Sequence, residues 1–288
     1  MIITKTPFRI SFVGGGSDLE SFFKRKKGAV LSTTIDKYMY ISTHDFFERD
    51  KIRCKYSQTE TVDHVDQLQH PILKAVLKDF DVNGIEVSSI ADIPGGTGMG
   101  SSSSFTVGLL HNLSAYTNKV VTKEHLGAGA CRIEIDLLNE PIGKQDQYAA
   151  TFGGFNFIEF YNNDHVIVNP LRIRKWIKDE LEASIIIFFT GKSRDSSKII
   201  DDQINNASLK KDDSHYEGMN TLKLSAQKMK EHILNTIINN DQKNFIYVYD
   251  FLKLWTFFIE VIEENKENSH SHYPQTIFSI GDTPIKAP

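Results

Sequence analysis

The stretch Pro94-Gly95-Gly96-Thr97-Gly98-Met99-Gly100-Ser101-Ser102-Ser103-Ser104 constrains this chain more than any other part of it. It lies between a β-prone run at residues 85–90 and a run at 105–116 that is apolar on most sides and reads as a buried helix. Glycines let the backbone take positive φ and approach a ligand closely. Successive amide N–H groups then turn inward, and the first turn of the helix adds unpaired donors and its dipole. That combination is a cradle for phosphate, and serine hydroxyls can donate to phosphate oxygens or coordinate Mg²⁺. A Walker A loop needs Gly-Lys-Ser/Thr, whereas Gly100 is followed directly by Ser101. A dinucleotide fingerprint needs G-x-G-x-x-G, whereas Gly96, Gly98 and Gly100 alternate strictly, and the nearest acidic residue at the right distance, Glu124, opens the next helix. A dinucleotide-dependent oxidoreductase is therefore disfavoured.

Around this loop the hydrophobic pattern predicts a mixed architecture. Residues 8–13 form a strand running into the tight turn Gly14-Gly15-Gly16, and 29–43 a second β-rich segment. Pro71 opens a helix to Phe80, with Ile72, Ala75, Val76 and Phe80 at helical spacing. Another helix is expected over 123–138 with Leu126, Ala130, Ile133 and Leu137 on one face. Strands are expected at 155–160 and 183–189, and a polar helix at 222–238. No internal repeat or low-complexity linker interrupts them, so the fold class is α+β, with a domain boundary between 160 and 190.

Composition then excludes several partners. The net charge of −4 gives no global field for nucleic acid or an anionic membrane, so an anionic substrate must be held by local dipoles and cations. Cys54 and Cys131 stand far apart in no metal-type spacing, which excludes a disulfide framework and a structural zinc site and fits a reducing, cytoplasmic setting. The longest apolar run, 185–189, is far too short to span a bilayer, and residues 1–12 do not read as a signal peptide.

Three carboxylates are candidates for chemistry. Asp146 follows the breakers Pro141 and Gly143, in a loop where it could accept the proton of an attacking hydroxyl; the bland alternative is a solvated surface aspartate. Glu134 flanks Ile133 on the buried helix and is either a Mg²⁺ ligand or a residue of its wet face. Asp18 follows the triple glycine, where it could accept from sugar hydroxyls or, with Ser17 competing, cap a helix over 19–24. Lys5, Arg9 and Lys144 could neutralise phosphate charge, and Lys24-Arg25-Lys26-Lys27 reads as a solvated helix end.

Together, residues 7–18 (Pro-Phe-Arg-Ile-Ser-Phe-Val-Gly-Gly-Gly-Ser-Asp), the loop at 94–104 and the segment Glu140-Pro141-Ile142-Gly143-Lys144-Gln145-Asp146-Gln147-Tyr148 resemble the GHMP kinase family. Within it the likeness is greatest to its heptose 7-phosphate kinases, through 29–38, 89–94 and, more weakly, 190–194. The resemblance implies a two-domain fold: an N-terminal part like domain 2 of ribosomal protein S5 and a ferredoxin-like C-terminal part, the latter incomplete. It implies ATP and Mg²⁺ as cofactors, a sugar or sugar phosphate as the small-molecule partner, no nucleic acid, no membrane, and room for a homodimer. Asp146 then matches the catalytic aspartate and Arg9 the basic residue near the transferred phosphoryl group. Pro94, Gly95, Gly96, Thr97, Gly98, Met99, Gly100, Ser101, Ser102 and Ser103 match the nucleotide loop, and Ser102 and Glu134 the metal site. Asp18, Gly15 and Gly16 match the sugar-contacting turn, and Lys192 and Arg194 are candidates for an acceptor's own phosphate. Other sugars of the fucose or galactose type, or a catalytically silent binding protein, remain as competing readings.

The sequence departs from the family at its end. The last hundred residues contain only Gly191, Gly218 and Gly281, with no third glycine-rich cluster, and from residue 244 they turn aromatic. The expected organisation is 1–165 for the loop-bearing domain, 166–243 for a partial second domain, and 244–288 for a divergent aromatic segment and tail.

Overall fold

The computed structural model describes residues 1–187, 214–238, 244–248 and 256–260. Strand β1 (Ile2–Val13) runs antiparallel to the long β2 (Gly28–Asp45), with register shifts between Pro7 and Arg9 and between Ser11 and Val13. The first half of β2 pairs with β6 (Phe155–Phe160) and the second half with β5 (Ile85–Ala91), both antiparallel. Strands β3 (Ile52–Lys55), parallel to β5, and β4 (Thr59–Val62) extend one side, and β7 (Val166–Pro170) the other, giving a seven-stranded sheet.

The single-turn helix α1 (Glu20–Phe23) links β1 to β2. Helix α2 (Pro71–Phe80) has the bounds the proline and periodicity predict; His70 is its N-cap, and its ring accepts from the Leu73 amide. Helix α3 (Ser101–Tyr116) lies across β1 and β2. Thr4 Oγ1 donates to the Gly108 carbonyl (3.0 Å) and Asn112 Nδ2 to the Ile41 carbonyl (2.9 Å), so two buried polar side chains fasten the helix to the sheet. The core between them gathers Phe8, Ile41, Leu73, Val76, Leu109 and Leu113.

Helix α4 (Lys123–Cys131) continues without a break into a π-helical segment, Arg132–Leu137. The expected single helix over 123–138 is corrected here. Widening the turn drops Leu137 out of the line of Leu126, Ala130 and Ile133, leaving it 50% exposed, and Leu138 packs on the core instead. After it come α5 (Gln145–Phe152), α6 (Lys175–Ser184) and α7 (Ser214–Ile238). The strand expected over 183–189 is also corrected: residues 183 and 184 finish α6, 185–187 are irregular, and 188 and 189 lie outside the described residues. Lys175–Ser184 carries Trp176, Leu181 and good helix formers such as Glu180 and Glu182, which outweigh the short β-branched run after it. In the aromatic segment, β8 (Asn244–Val248) pairs antiparallel with β9 (Thr256–Glu260).

Candidate active site

Three connections meet where α3 begins: the loop after β5, the middle of β1, and the start of α5. In the loop, Gly96, Gly98 and Gly100 have φ of +74°, +74° and +71°, so every second residue is left-handed. Alternation of this kind turns successive amides toward one side and forms an anion-binding concavity. Gly100 is the N-cap of α3 and has no side chain to satisfy the helix's first amides, which leaves their dipole end available. The loop is tied to β1 by the Arg9 amide, which donates to the Met99 carbonyl (3.2 Å), and by Ser104 Oγ, which donates to the Pro7 carbonyl (2.9 Å).

Arg9 and Asp146 stand at this helix end together. Arg9 Nε and Nη2 each lie 2.7 Å from Asp146 Oδ1, and Nη1 donates to the Gly98 carbonyl (2.8 Å). A Cβ on Gly100 would lie 3.1 Å from Asp146 Oδ2, so the carboxylate abuts the glycine turn. Both side chains keep an exposed edge, which gives the pair access to a ligand in the concavity. Asp146 is in the first turn of α5 and not in a loop, a correction to the sequence reading. Its local sequence lacks an N-cap, since Lys144 supplies no side-chain acceptor. The acceptor comes from another element.

That acceptor is Asp18. Its Oδ2 accepts from the Gln145 amide (3.1 Å), and its Oδ1 from the Gly16 amide (2.9 Å) and Gln145 Nε2 (3.3 Å). Gln145 Oε1 in turn accepts from Ser11 Oγ (2.6 Å). Gly143 is required beside it, because a Cβ there would overlap the Asp18 carboxylate outright. Asp18 is 1% exposed, and burial, with the Asp146 charge nearby, pushes its carboxyl up to about 6. It does not cap α1, whose N-cap is Leu19 with no side-chain bond. Gly14 sits so close to the Ala29 carbonyl that a side chain is excluded, and Ser17 Oγ accepts from the Ala29 amide (3.0 Å). The turn holding Gly15, Gly16 and Asp18 is thereby fixed against β2.

Glu134 lies below the helix start, fully buried. Ser102 Oγ donates to its Oε1 (2.6 Å), and Ser103 Oγ (2.8 Å) and Gln147 Nε2 (2.7 Å) donate to its Oε2. Burial raises its pKa, and the three donors oppose the shift. The wet-face alternative for Glu134 is thus excluded. Among the described residues no three His, Cys, Asp or Glu side chains converge as a metal cage. Glu134 and the exposed Ser102 offer hard oxygen donors of the kind Mg²⁺ takes alongside nucleotide phosphates, so the residues present fit that ion.

The structure therefore brings together Arg9, Asp18, the loop, Ser102, Ser103, Glu134 and Asp146. Lys5 stays apart, its ammonium 3.7 Å over the Tyr38 ring, and Lys144 is paired with Asp164 (2.9 Å). Lys192 and Arg194 lie outside the described residues. Sequence reasoning missed Gln145 and Gln147, whose amides reach Asp18 and Glu134. The available signal was the pair of glutamines bracketing Asp146, since neighbours on a helix start face different sides.

A phosphate-type loop opening a buried helix, with an arginine–aspartate pair across its mouth, defines the nucleotide half of a small-molecule phosphotransferase. Residues 67–154 match the model of the GHMP kinases N terminal domain. A D-glycero-alpha-D-manno-heptose 7-phosphate kinase of Campylobacter jejuni is 33% identical, the match covering 85% of this chain and 81% of that protein. A galactokinase of Pyrococcus furiosus is 24% identical over 67% of this chain and 54% of its own. Among solved structures, a D-glycero-D-manno-heptose 1-phosphate kinase from Bacteroides thetaiotaomicron superposes with a TM-score of 0.62 at 25% identity, covering 86% of this chain and 85% of that one. A sugar kinase from Campylobacter jejuni gives the same TM-score at 32% identity, covering 83% and 71%. This chain belongs to the GHMP kinase family, a family of phosphotransferases. Among the described residues no helix is long and apolar enough to cross a membrane.

Proposed function

We propose that this chain is a sugar kinase that transfers the γ-phosphoryl group of ATP to the anomeric hydroxyl of D-glycero-D-manno-heptose 7-phosphate, in the cytoplasm, on the route to a nucleotide-activated heptose. The observation that carries the reading is the Asp146 carboxylate set against the glycine turn and held there by Arg9. Relatives named as heptose-phosphate kinases support the acceptor class, one with the phosphate at position 7 and another at position 1.

In this mechanism the amides of residues 96–102 hold the terminal phosphates of ATP, and Ser102 and Glu134 are the residues that would hold Mg²⁺. The ion, when bound, neutralises phosphate charge. Phosphoryl transfer passes through a loose transition state, so positioning and charge neutralisation supply most of the rate. Asp146 orients the acceptor hydroxyl and takes its proton, while Arg9 holds that carboxylate in place and adds positive charge at the mouth of the loop. Gly15 and Gly16 allow the sugar to approach, and Asp18 fixes the wall beside it. Residues 1–165 form the domain that carries this machinery, with 166–243 as a partial second domain.

The test is ADP release with ATP, Mg²⁺ and a panel containing heptose 7-phosphate, the unphosphorylated heptose, galactose and fucose. Turnover confined to the phosphorylated heptose is the expected result, and turnover only with galactose or fucose would move the assignment to those sugars. A second reading, a catalytically silent nucleotide- or sugar-binding protein, is favoured by one feature: the last hundred residues lack a glycine cluster to back the phosphate loop. Nucleotide binding without turnover on any acceptor would select it.

A further inference from the structure

Helix α7 meets the sheet through one face. Tyr216 stacks on Phe22, with ring centroids 4.8 Å apart, and the Arg25 guanidinium lies 4.2 Å from the Tyr216 ring. Two to four turns on, Ala226 is fully buried with Phe12, Val13, Ala29, Leu31 and Phe157, and Lys230 Nζ sits 4.3 Å over the Phe157 ring. Lys223 comes seven residues after Tyr216 and three before Ala226, so helical spacing places it on the same face, between these two anchor points. Arg25 lies at the first anchor point and Ala29 at the second, so Lys26 and Lys27 of the α1–β2 connection come between them.

A lysine is an unusual side chain for that position. Lys223 is 6% exposed, and among the described residues it has no carboxylate, carbonyl or hydroxyl partner. The charges that face it are those of Lys26 and Lys27, and burial together with these two like charges lowers its pKa. Lys27 is partly satisfied by Glu159 and by the Tyr161 ring, 4.6 Å away, while the exposed Lys26 has no partner among the described residues. One turn before Lys223, Asn220 has a buried side-chain oxygen that also lacks one. An unpaired buried cation is destabilising, and two more cations beside it make it more so. An anion arriving through the open Lys26 side removes that destabilisation.

The cluster also borders the catalytic end of the fold. Ser17, one residue before Asp18, is hydrogen-bonded to Ala29, two residues after Lys27. Lys24 and Lys144 share Asp164, and Lys144 is the N-cap of the helix that carries Asp146.

We propose that Lys223, Lys26 and Lys27 form an anion subsite for a phosphate monoester, carried into the site by the acceptor substrate. The acceptor half of this proposal rests on the kinase reading above; the anion subsite does not. Three cations can serve the three oxygens of a phosphate dianion, and its charge supplies the counter-ion that Lys223 lacks among the described residues. The same chemistry would accept free inorganic phosphate, so the experiment separates the two sources.

Full-length wild type and Lys223→Met, which keeps the side-chain volume without the charge, are compared in thermal unfolding. Inorganic phosphate is titrated against chloride at matched ionic strength, with a non-hydrolysable ATP analogue and Mg²⁺ present at saturation to occupy the glycine loop. Phosphate should raise the wild-type Tm and leave that of Lys223→Met unmoved, while in chloride the variant should be at least as stable as wild type. Equal phosphate responses in the two proteins would overturn the subsite. A variant destabilised in chloride and still responsive to phosphate would overturn it too, by showing that Lys223 serves packing alone. In the ADP-release assay, KM for the phosphorylated heptose should rise about tenfold or more in Lys223→Met and in the surface variant Lys26→Met, with kcat and the KM for ATP unchanged. If the phosphate response is lost but acceptor KM is unmoved, the site stands as one for free phosphate. Absence of turnover in wild type would remove the kinase reading and leave the phosphate titration to decide the subsite.

Discussion

Replacing Gly143 with alanine tests how Asp146 is positioned. The added Cβ would overlap Asp18 Oδ2 and lie 3.0 Å from Oδ1, with no room on the far side of a carboxyl that is 1% exposed. The carboxylate must move, and its bond to the Gln145 amide, which starts α5, is lost or lengthened. A hydrogen bond to a charged group contributes about 1.5–3 kcal/mol, and overpacking costs about 1–3 kcal/mol. Gly143→Ala should therefore destabilise the chain by about 3 kcal/mol. Because the start of α5 shifts with it, kcat should fall on the order of a hundredfold, the effect expected of a displacement near 1 Å. The informative measurement is a double-mutant cycle in urea unfolding. In an Asp18→Ala background the obstacle is gone, so the alanine at 143 should cost close to nothing, a coupling of about 2 kcal/mol or more. Additive effects within about 0.5 kcal/mol would refute the reasoning, because they would mean that Gly143 and the Asp18 carboxylate do not compete for the same space.

Asp146→Asn should lower kcat at least a hundredfold while changing Tm little, since the pair it forms with Arg9 is partly exposed; stopped kinetics and a thermal melt measure both. The Asp18 carboxyl, raised from its ordinary 3.8 to about 6, takes up its proton more readily in the folded than in the unfolded chain. Its contribution to stability is thus lowest above pH 6 and improves by up to about 3 kcal/mol as pH falls toward 3.8, so Asp18→Asn should flatten the stability profile between pH 7.5 and 5; an unchanged slope would contradict this. Glu134→Gln should raise the Mg²⁺ concentration for half-maximal activity about tenfold or more without loss of stability, because it neutralises a fully buried charge. Ser17→Ala should cost about 1–3 kcal/mol in urea unfolding by stranding the buried Ala29 amide it satisfies.

Much of this molecule could be read from local pattern. Pro71 and the spacing behind it marked α2 to the residue, the apolar run marked α3, and the alternating glycines announced the turn at its head. Those features depend on neighbours in sequence, and so does the reading of 94–104 as a cradle. What the sequence concealed depends on partners on other elements, from 13 to more than a hundred positions away. Asp146 looked like a loop residue because the cap that starts its helix is Asp18, 127 residues before Gln145. Glu134 could be called wet or buried with equal reason until Ser102, Ser103 and Gln147 were seen to satisfy it. Lys223 looked like one more cation on a polar helix, since nothing in its immediate neighbourhood indicates that the face it occupies lies against a sheet.

The π-helical stretch at Arg132–Leu137 has a practical consequence for anyone aligning or editing this chain. A π turn is an ordinary helical turn with one residue too many, so a single deletion inside it can be absorbed by relaxing to regular α geometry. Such a deletion would keep the residues on either side in phase but remove the widened turn that sets Glu134 among Ser102, Ser103 and Gln147. A gap placed there by an alignment therefore marks loss of the widened turn, with no change of register in the flanking residues.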